Sequence, residues 1–303
     1  MKPIVVVIVG PTASGKTSAS IELAKKMNGE IISADSMQIY QEMNIGTAKP
    51  SKEEMNGVKH YLLDFLSPEE NFNVTLYKEK AEEAIEEILK KGKTPIIVGG
   101  TGLYVSTLIH GIEFSEVPED LKFRDEMGKM AEVKGKEYLH QELMKVDPVA
   151  AKNIDQNNVR RVIRALEIYH VTGKTKTELD AMSQKEVPYD YLVYGIETPR
   201  EKLYERINLR VDKMLEAGLV EEVSYLVTHY QVSKTAMQGL GYKEVVEYLN
   251  HQITYEEMVE KIKQESRRYA KRQLTWFRRE TCINWCSLET IVDTISKDLK
   301  NRR

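Results

Sequence analysis

Cysteine is scarce in this chain of 303 residues, which contains only Cys282 and Cys286. Two thiols four positions apart make neither a disulfide framework nor the CxxC pair of a redox or zinc site. The six histidines are dispersed singly along the chain. We therefore expect two reduced thiols on one helical or loop face, and histidines with ordinary structural roles.

Long apolar segments and strong net charge are lacking as well. The apolar run near the N-terminus, Ile4–Val9, is far shorter than the roughly 20 residues of a membrane-spanning helix. A glycine-rich stretch follows it, where a signal peptide would have a cleavage site. The formal net charge of −3 argues against a nonspecific nucleic-acid coat protein but is compatible with a local basic face. We expect no membrane partner and a cytoplasmic location.

Buried strands alternate with helices in the first part of the chain. Short apolar runs at Lys2–Val9 and Glu30–Asp35 predict strands buried on both faces, and Thr94–Val105 predicts a third that breaks into glycines. Leu76–Lys93 has the apolar periodicity of an amphipathic helix. This alternation predicts an α/β fold, a parallel-sheet core with helices on both faces.

The composition changes after Gly111. Residues 113–188 are charged and helical in pattern and contain no strand candidate, whereas a strand pattern returns near residue 189. The sequence therefore predicts a core formed by 1–112 and 189–303, ending in helices, and a helical insertion domain at 113–188.

The stretch GPTASGKT at 10–17 matches the phosphate-binding pattern G-x-x-x-x-G-K-[ST], between a predicted strand and a predicted helix. Its backbone N–H groups and the helix N-terminus would bind phosphate oxygens. Lys16 would add positive charge, and the Thr17 hydroxyl would hold Mg²⁺. The residues leave open a kinase, an ATPase or switch, and an enzyme that releases diphosphate. The predicted diphosphate- or nucleotide-binding residues are Gly10, Pro11, Thr12, Ala13, Ser14, Gly15, Lys16 and Thr17.

Two more predicted strand ends carry polar side chains, Asp35 and Thr101. Open parallel sheets bind ligands beyond the carboxyl ends of their strands, so both residues should lie near the phosphate loop. Asp35 could hold Mg²⁺, act as a general base or cap a helix. The third strand ends in glycines without the carboxylate that usually supports magnesium in ATPases. Arg206 and Arg210, four residues apart, share a helix face and could stabilise a departing diphosphate.

Two segments are locally basic. In Asn158–Glu167, helical spacing puts Arg160 and Arg164 on one face. Residues 267–279 include six basic residues, no acidic residue and three interleaved aromatic residues. Basic side chains with aromatic neighbours are typical of RNA contact, although a solvated face or an amphipathic core helix would give a similar pattern.

Together these motifs resemble the tRNA dimethylallyltransferases, also called tRNA isopentenyltransferases. The resemblance spans most of the chain, and the motifs at 35–50 and 157–175 are long and peculiar to the family. It implies a phosphate-loop core with a helical insertion, and transfer of a dimethylallyl group from dimethylallyl diphosphate to N6 of adenosine 37 in tRNA. The motifs are GPTASGKT at 10–17, DSMQIYQEMNIGTAKP at 35–50, GGTGLY at 99–104, NNVRRVIRALEIYHVTGKT at 157–175, GLGYKE at 239–244 and AKRQLTWFR at 270–278.

The resemblance also implies roles for individual residues. Asp35 would be the general base on the adenine amine, Thr101 would assist at the diphosphate or channel, and Arg210 would bind the leaving diphosphate. The phosphate loop would grip that diphosphate with Mg²⁺ as cofactor. Contacts with the target base or the tRNA anticodon stem-loop are implied for Asp35, Ser36, Met37, Gln38, Thr101, Arg124, Asn157, Asn158, Val159, Arg160 and Arg161.

Two alternatives compete with prenyl transfer: a small-molecule kinase using ATP in the same loop, and a non-catalytic RNA-binding switch. A kinase would not need the basic segment 267–279, and a switch would not need Asp35 and Thr101 at adjacent strand ends. The chain stops at Arg303 without the zinc-finger extension of many relatives from nucleated cells, which favours a bacterial-type cytoplasmic enzyme. No obligate interface is indicated, so we expect a monomer.

Overall fold

The structure, a computed structural model of the chain, describes residues 2–113, 117–182 and 186–302. It divides into two compact units, one of Met1–Ile109 with Val187–Arg303 and one of His110–Glu186. The insertion predicted from the sequence, 113–188, differs from the second unit by a few residues at each end. Residues 114–116 and 183–185 of that predicted insertion, and Met1 and Arg303 of the predicted core, lie outside the described residues.

A parallel sheet organises the first unit, as the sequence predicted. Its strands pair in the order β3-β2-β4-β1-β5-β6, and every pairing is parallel. The strands are β1 (Ile4–Val9), β2 (Gly29–Ala34), β3 (His60–Tyr61), β4 (Thr94–Gly99), β5 (Asp190–Glu197) and β6 (Asn284–Ser287).

Helices connect these strands and form the second unit. None of the helices within the described residues is long and apolar enough to cross a membrane. The first unit contains α1 (Lys16–Met27), α2 (Lys52–Met55), α3 (Val74–Lys90) and α4 (Gly102–Ile109), and the second α5 (Leu121–Lys134), α6 (Lys136–Val146), α7 (Pro148–Asn153), α8 (Val159–Thr172) and α9 (Lys176–Met182). The first unit continues with α10 (Arg200–Glu216), α11 (Leu219–His229), α12 (Tyr242–Leu249), α13 (Tyr255–Phe277) and α14 (Ile291–Arg302).

Both faces of the sheet are covered by helices, which confirms the predicted fold class. Val5, Val7 and Val9 of β1 belong to a core that includes α3, whereas Val6 and Ile8 belong to a second core with α1 and α14. All five side chains are fully buried. The unbroken apolar sequence of β1 therefore follows from a strand whose alternate side chains enter two cores.

Three strands end at the same level of the sheet. Val9 of β1 lies opposite Gly99 of β4, and Gly99 lies opposite Ala34 of β2. A Cβ atom on Gly99 would lie 2.0 Å from the carbonyl oxygen of Ala34, so only glycine permits this approach. The residues that follow these strands are therefore brought to one edge.

The sequence missed two strands and merged two elements. β3 has only two residues, and β6, with the pattern exposed, half-buried, half-buried, exposed, lacks an apolar run. Both are edge strands, so pairing rather than a hydrophobic signal defines them. The predicted strand Thr94–Val105 is β4 followed by α4. The expected common face of the thiols is not found either, since Cys282 is an exposed residue before β6 and Cys286 lies within it; both are free.

Candidate active site

The glycine-rich loop between β1 and α1 exposes the beginning of a helix. Gly15, which precedes α1, has φ +91°, and a Cβ atom there would lie 2.7 Å from the Leu288 side chain. Ala13 also has a positive φ, of 61°, which a non-glycine residue rarely adopts. No side chain caps the N-terminus of α1. Its first-turn N–H groups and the positive end of its dipole are therefore available to an anion.

Two cations and one carboxylate lie close together beside this loop. The Nζ atom of Lys16 donates a hydrogen bond to the Pro11 carbonyl at 2.6 Å. Burial, and then the neighbouring guanidinium of Arg210, lowers the pKa of Lys16 from 10.5 to about 7, while Asp35 opposes the shift. Burial also lowers the pKa of Arg210, again opposed by Asp35. The free site thus disfavours the charged form of Lys16, and a bound phosphate anion would stabilise that form.

Binding of inorganic diphosphate at pH 8 is expected to be accompanied by uptake of a proton by Lys16, and to weaken as the pH rises above 7. Because the pKa of Lys16 is lowered to about 7 in the free protein, its amine is largely neutral at pH 8. A bound anion stabilises the ammonium form and raises this pKa, so binding requires a proton. Calorimetry at pH 8 in two buffers of different ionisation enthalpy measures the uptake.

The uptake should disappear in Lys16→Gln and persist in Lys25→Gln, an exposed lysine of the same helix. At pH 6 the amine is already protonated before binding, so its contribution should vanish. An observed binding enthalpy that is the same in both buffers at pH 8 would contradict the expectation.

Asp35, directly after β2, is anchored through one carboxylate oxygen. Oδ1 accepts the N–H groups of Met37 at 2.9 Å and Gln38 at 3.3 Å. Within the described residues, Oδ2 takes no hydrogen bond from the protein. The carboxylate therefore closes a turn through one oxygen, while the other remains able to accept a proton or bind a cation.

Thr101, directly after β4 and Gly100, supports the same turn. Its Oγ1 accepts the N–H of Ser36 at 3.1 Å, and its own N–H donates to the Ala34 carbonyl at 3.1 Å. The linings of the two cavities described below do not include it. Thr101 thus holds the backbone on both sides of Asp35.

Arg210 of α10 reaches the site, whereas Arg206 does not. The Nη2 atom of Arg210 donates to the Thr47 carbonyl at 3.3 Å. Arg206, one helical turn earlier, is exposed to solvent. The two arginines lie one helical turn apart, as their spacing predicts, but only Arg210 points into the site.

Two cavities share part of their linings at this edge of the sheet. The first, of about 90 Å³, is lined by Lys16, Thr17, Gln38 and both Gly99 and Gly100. The second, of about 420 Å³, is lined on one side by Ser36, Met37, Gly46 and Thr47 and on the other by residues of α10 and α13. A phosphate-type loop and a larger chamber thus adjoin each other. The residues that line both cavities are Thr12, Asp35, Arg210 and Tyr269.

Helix α13 contributes two side chains that sequence reasoning did not assign to the site. Gln273, 5% exposed, accepts the N–H of Thr12 at 2.8 Å and donates to the Gly100 carbonyl at 3.0 Å. Tyr269, one turn earlier, contacts Thr101 and Gln273, and burial raises its pKa. The pattern that could have revealed them is the spacing of Tyr269, Gln273 and Phe277, which lie four residues apart on one helix face.

The aromatic residues of 267–279 fit the alternative of an amphipathic core helix. Phe277 is fully buried, and the Nε1 atom of Trp276 donates to Ser106 Oγ at 2.9 Å. The interleaved aromatic residues thus belong to the core and the site, because α13 is amphipathic, and they form no exposed stacking surface. Five of the six basic residues are exposed, either on the solvent side of α13 or just after its end: Arg268, Lys271, Arg272, Arg278 and Arg279.

In the second unit, the predicted RNA-contact residues 157–161 form the beginning of α8. Asn158 accepts the N–H of Arg161 at 3.4 Å and caps the helix. Asn157 donates to Asp155 Oδ1 through both its backbone and side-chain nitrogens, each at 2.8 Å. Arg160 and Arg161 are exposed. An exposed basic helix N-terminus suits phosphate contact.

Arg124 and Arg164 are engaged within the same unit. Arg124 binds the fully buried carboxylate of Glu167 through Nε at 2.8 Å and Nη2 at 3.0 Å. Arg164 forms a 2.5 Å ion pair with the same carboxylate. The expectation that Arg164 faces outward beside Arg160 is therefore not met, because a buried glutamate one turn along needs a cationic partner.

The sequence is similar to known proteins over nearly its whole length. The family model for IPP transferase matches residues 38–280. A tRNA dimethylallyltransferase of Acetivibrio thermocellus is 52% identical over 299 residues, covering 98% of this chain and 95% of that protein.

Solved structures are similar over nearly the whole chain. A full-length tRNA isopentenylpyrophosphate transferase from Bacillus halodurans is 42% identical, with a TM-score of 0.74 and coverage of 99% of this chain and 98% of that one. A eukaryotic dimethylallyltransferase acting on tRNA is 31% identical, with a TM-score of 0.83 and coverage of 99% of this chain and 80% of that one.

Proposed function

This chain belongs to the IPP transferase family and prenylates tRNA, and we propose that it transfers the dimethylallyl group of dimethylallyl diphosphate to N6 of adenosine 37 in the anticodon stem-loop. The observation that carries this proposal is the pair of adjoining cavities with Asp35 in both linings. One has a phosphate-type loop for the donor, and the other is large enough to admit an extruded base. The kinase and RNA-switch alternatives are not favoured by the family to which the chain belongs.

The leaving diphosphate is held by the glycine-rich loop. Backbone N–H groups at the start of α1, the ammonium of Lys16 and the guanidinium of Arg210 surround it with positive charge. As the C–O bond to the diphosphate breaks, its electron pair goes to the diphosphate oxygen, where these donors stabilise it. Water is not a reactant in this step, because the adenine amine is the nucleophile.

Mg²⁺ is the cofactor that this donor set would accept. Thr17 is an exposed hydroxyl at the start of α1 and lines the first cavity. The Thr17 hydroxyl and the diphosphate would supply oxygen ligands, which Mg²⁺ prefers. When bound, the ion would neutralise charge on the diphosphate.

Asp35 acts on the acceptor. The adenine N6 attacks the first carbon of the dimethylallyl group, the new C–N bond forms, and the proton of N6 passes to Oδ2 of Asp35. The bonds of Oδ1 to Met37 and Gln38 hold the carboxylate still during the transfer. Extruding the base from its loop costs a few kcal/mol, which contacts of Ser36 and Met37 in the second cavity would offset. Gln38 instead donates to the Thr47 and Ala48 carbonyls and shapes the loop.

The RNA would be bound by exposed basic side chains in both units, namely those at the start of α8 and on the solvent side of α13. These side chains would neutralise phosphates of the anticodon stem-loop without reading its sequence. We propose that the enzyme acts in the cytoplasm as a monomer.

The experiment that tests the reaction offers the protein an anticodon stem-loop RNA, dimethylallyl diphosphate and Mg²⁺, with ATP replacing the prenyl donor in a parallel tube. A gain of one five-carbon unit by the RNA, located on adenosine 37 by nuclease digestion and mass spectrometry, supports the proposal. A stem-loop with guanosine at that position is the control and should remain unmodified. Turnover of ATP alone would overturn the proposal.

Replacing Arg160 and Arg161 together by glutamine is expected to weaken stem-loop binding and to reduce its dependence on salt. Removing one cation from a phosphate lowers the slope of log affinity against log salt by about 0.7–0.9. Binding is measured at several salt concentrations, with exposed Lys129→Gln and Lys152→Gln in the same unit as the control pair. An unchanged slope would remove Arg160 and Arg161 from the interface.

A further inference from the structure

A tyrosine ring is enclosed between two glycines at the wall of the second cavity. Tyr242, at the start of α12, is 1% exposed. A Cβ atom on Gly46 would lie 2.5 Å from its ring, and one on Gly239 would lie 2.8 Å from it. Gly46 and Gly239 both line the cavity, whereas Tyr242 does not. The ring therefore supports the wall from behind, and any side chain at either glycine would displace it.

The hydroxyl of this tyrosine meets a carboxylate that binds three consecutive backbone amides. Oε2 of Glu222, on α11, accepts the N–H groups of Asn44 at 2.8 Å and Ile45 at 2.7 Å. Oε1 accepts the N–H of Gly46 at 3.0 Å and the hydroxyl of Tyr242 at 2.7 Å. Successive N–H groups that converge on one anion form a nest, and bonds to a charged acceptor are about twice as strong as neutral ones.

The next residue connects this arrangement to the active site. The Thr47 carbonyl accepts hydrogen bonds from Nη2 of Arg210 at 3.3 Å and from Nε2 of Gln38 at 3.2 Å. Residues 36–50 contain no helix or extended strand. Turn hydrogen bonds from Ala48 N–H to the Ile45 carbonyl and from Lys49 N–H to the Asn44 carbonyl hold part of the loop. The amide N–H groups of 44–46 are instead satisfied by the side chain of Glu222, which comes from a distant element.

We propose that Glu222 and Tyr242, here called the Glu222–Tyr242 clamp, are positioning residues for tRNA prenylation. The clamp fixes the backbone of 44–47, which sets the Thr47 carbonyl and through it Arg210, and also the wall of the second cavity. Neither side chain lines either of the two cavities, so each would act through the backbone of 44–47. The assignment of the two cavities to donor and acceptor rests on the proposed function.

The test compares Glu222→Gln and Tyr242→Phe with Glu221→Gln, an exposed neighbour on the same helix that undergoes the same change of charge. Glutamine preserves the size of residue 222 but loses the anion. Phenylalanine retains the ring between the glycines and removes only the hydroxyl. In Glu222→Gln we expect faster hydrogen exchange at the amides of 44–46. We also expect kcat to fall by about tenfold or more, because a small misplacement of reacting groups lowers the rate by such factors. Tyr242→Phe should show smaller changes of exchange and kcat in the same direction, and Glu221→Gln should match the wild type.

Binding of inorganic diphosphate gives a readout that does not depend on the prenyl reaction. Because the clamp acts on Arg210, diphosphate affinity should fall severalfold in Glu222→Gln and remain unchanged in Glu221→Gln. If the wild-type protein failed to modify the stem-loop, the proposed function would fail, while exchange and diphosphate binding would still test the clamp. Unchanged exchange at 44–46 would overturn the inference. The inference would also be overturned if Glu222→Gln lowered the melting temperature but left kcat and diphosphate affinity of the folded protein at their wild-type values.

Discussion

Asp35→Asn is expected to lower the rate of prenyl transfer by roughly 10²–10⁴-fold, the usual contribution of a general base, with little change in tRNA affinity. Asparagine retains an Oδ1 that accepts the N–H groups of Met37 and Gln38. It replaces the second oxygen with an amide that cannot take the proton of the adenine amine. Single-turnover rates with saturating stem-loop and donor measure the chemical step, and equilibrium binding measures affinity.

A second substitution at the same position separates catalysis from the turn. Asp35→Ala removes the proton acceptor and the two turn bonds together, so it should be at least as slow as Asp35→Asn and should also destabilise the protein. If Asp35→Asn retained the wild-type rate while Asp35→Ala lost it, the carboxylate would be a turn residue only. A large loss of RNA binding with normal turnover would show that Asp35 had been misassigned.

Arg210→Gln is expected to lower kcat by roughly 10²–10³-fold, as removal of one donor to a developing anion does. Diphosphate should also bind more weakly, because a cation that lines the leaving-group cavity is removed. The matched control is Arg206→Gln, one turn away on α10 and exposed, which should behave like the wild type. Steady-state kinetics and diphosphate calorimetry on both variants provide the comparison.

The Arg210 variant has a further signature in its pH dependence. The Arg210 guanidinium is one of the causes that lower the pKa of Lys16, so its removal should raise that pKa. Proton uptake on diphosphate binding would then begin at a higher pH than in the wild type. An unchanged onset, or an equal loss of kcat in Arg206→Gln, would contradict the assignment of Arg210 to the leaving group.

Sequence patterns predicted the parts of this fold that depend on local chemistry. The apolar run of β1 and the glycine-lysine loop after it identify a buried strand, a turn and a helix N-terminus, because burial and backbone conformation restrict residue choice there. The edge strands β3 and β6 were not predictable in this way. Each is defined by pairing with a neighbour, and neither needs an apolar run.

The site was predictable where it follows directly from strand ends. Asp35 and Thr101 lie together because β2 and β4 end at one level, and parallel-sheet geometry implies this. Contacts across long sequence separations carry no local signal. Glu222 reaches amides of 44–46 from 176–178 residues away, and the partner of Arg124 is 43 residues distant. Such pairings arise from packing, so no sequence pattern revealed Glu167 as the partner of Arg124.

The hydrogen bond between Thr12 and Gln273 has a consequence for how the enzyme comes into being. It joins residues 261 positions apart, so the loop made first during synthesis obtains this restraint only after nearly the whole chain has left the ribosome. Chains grow from the N-terminus at roughly 5–20 residues per second, which leaves the loop without its partner for tens of seconds. The nascent protein therefore gains this support of the loop late in synthesis, and a chain interrupted before α13 would carry the complete loop sequence without it.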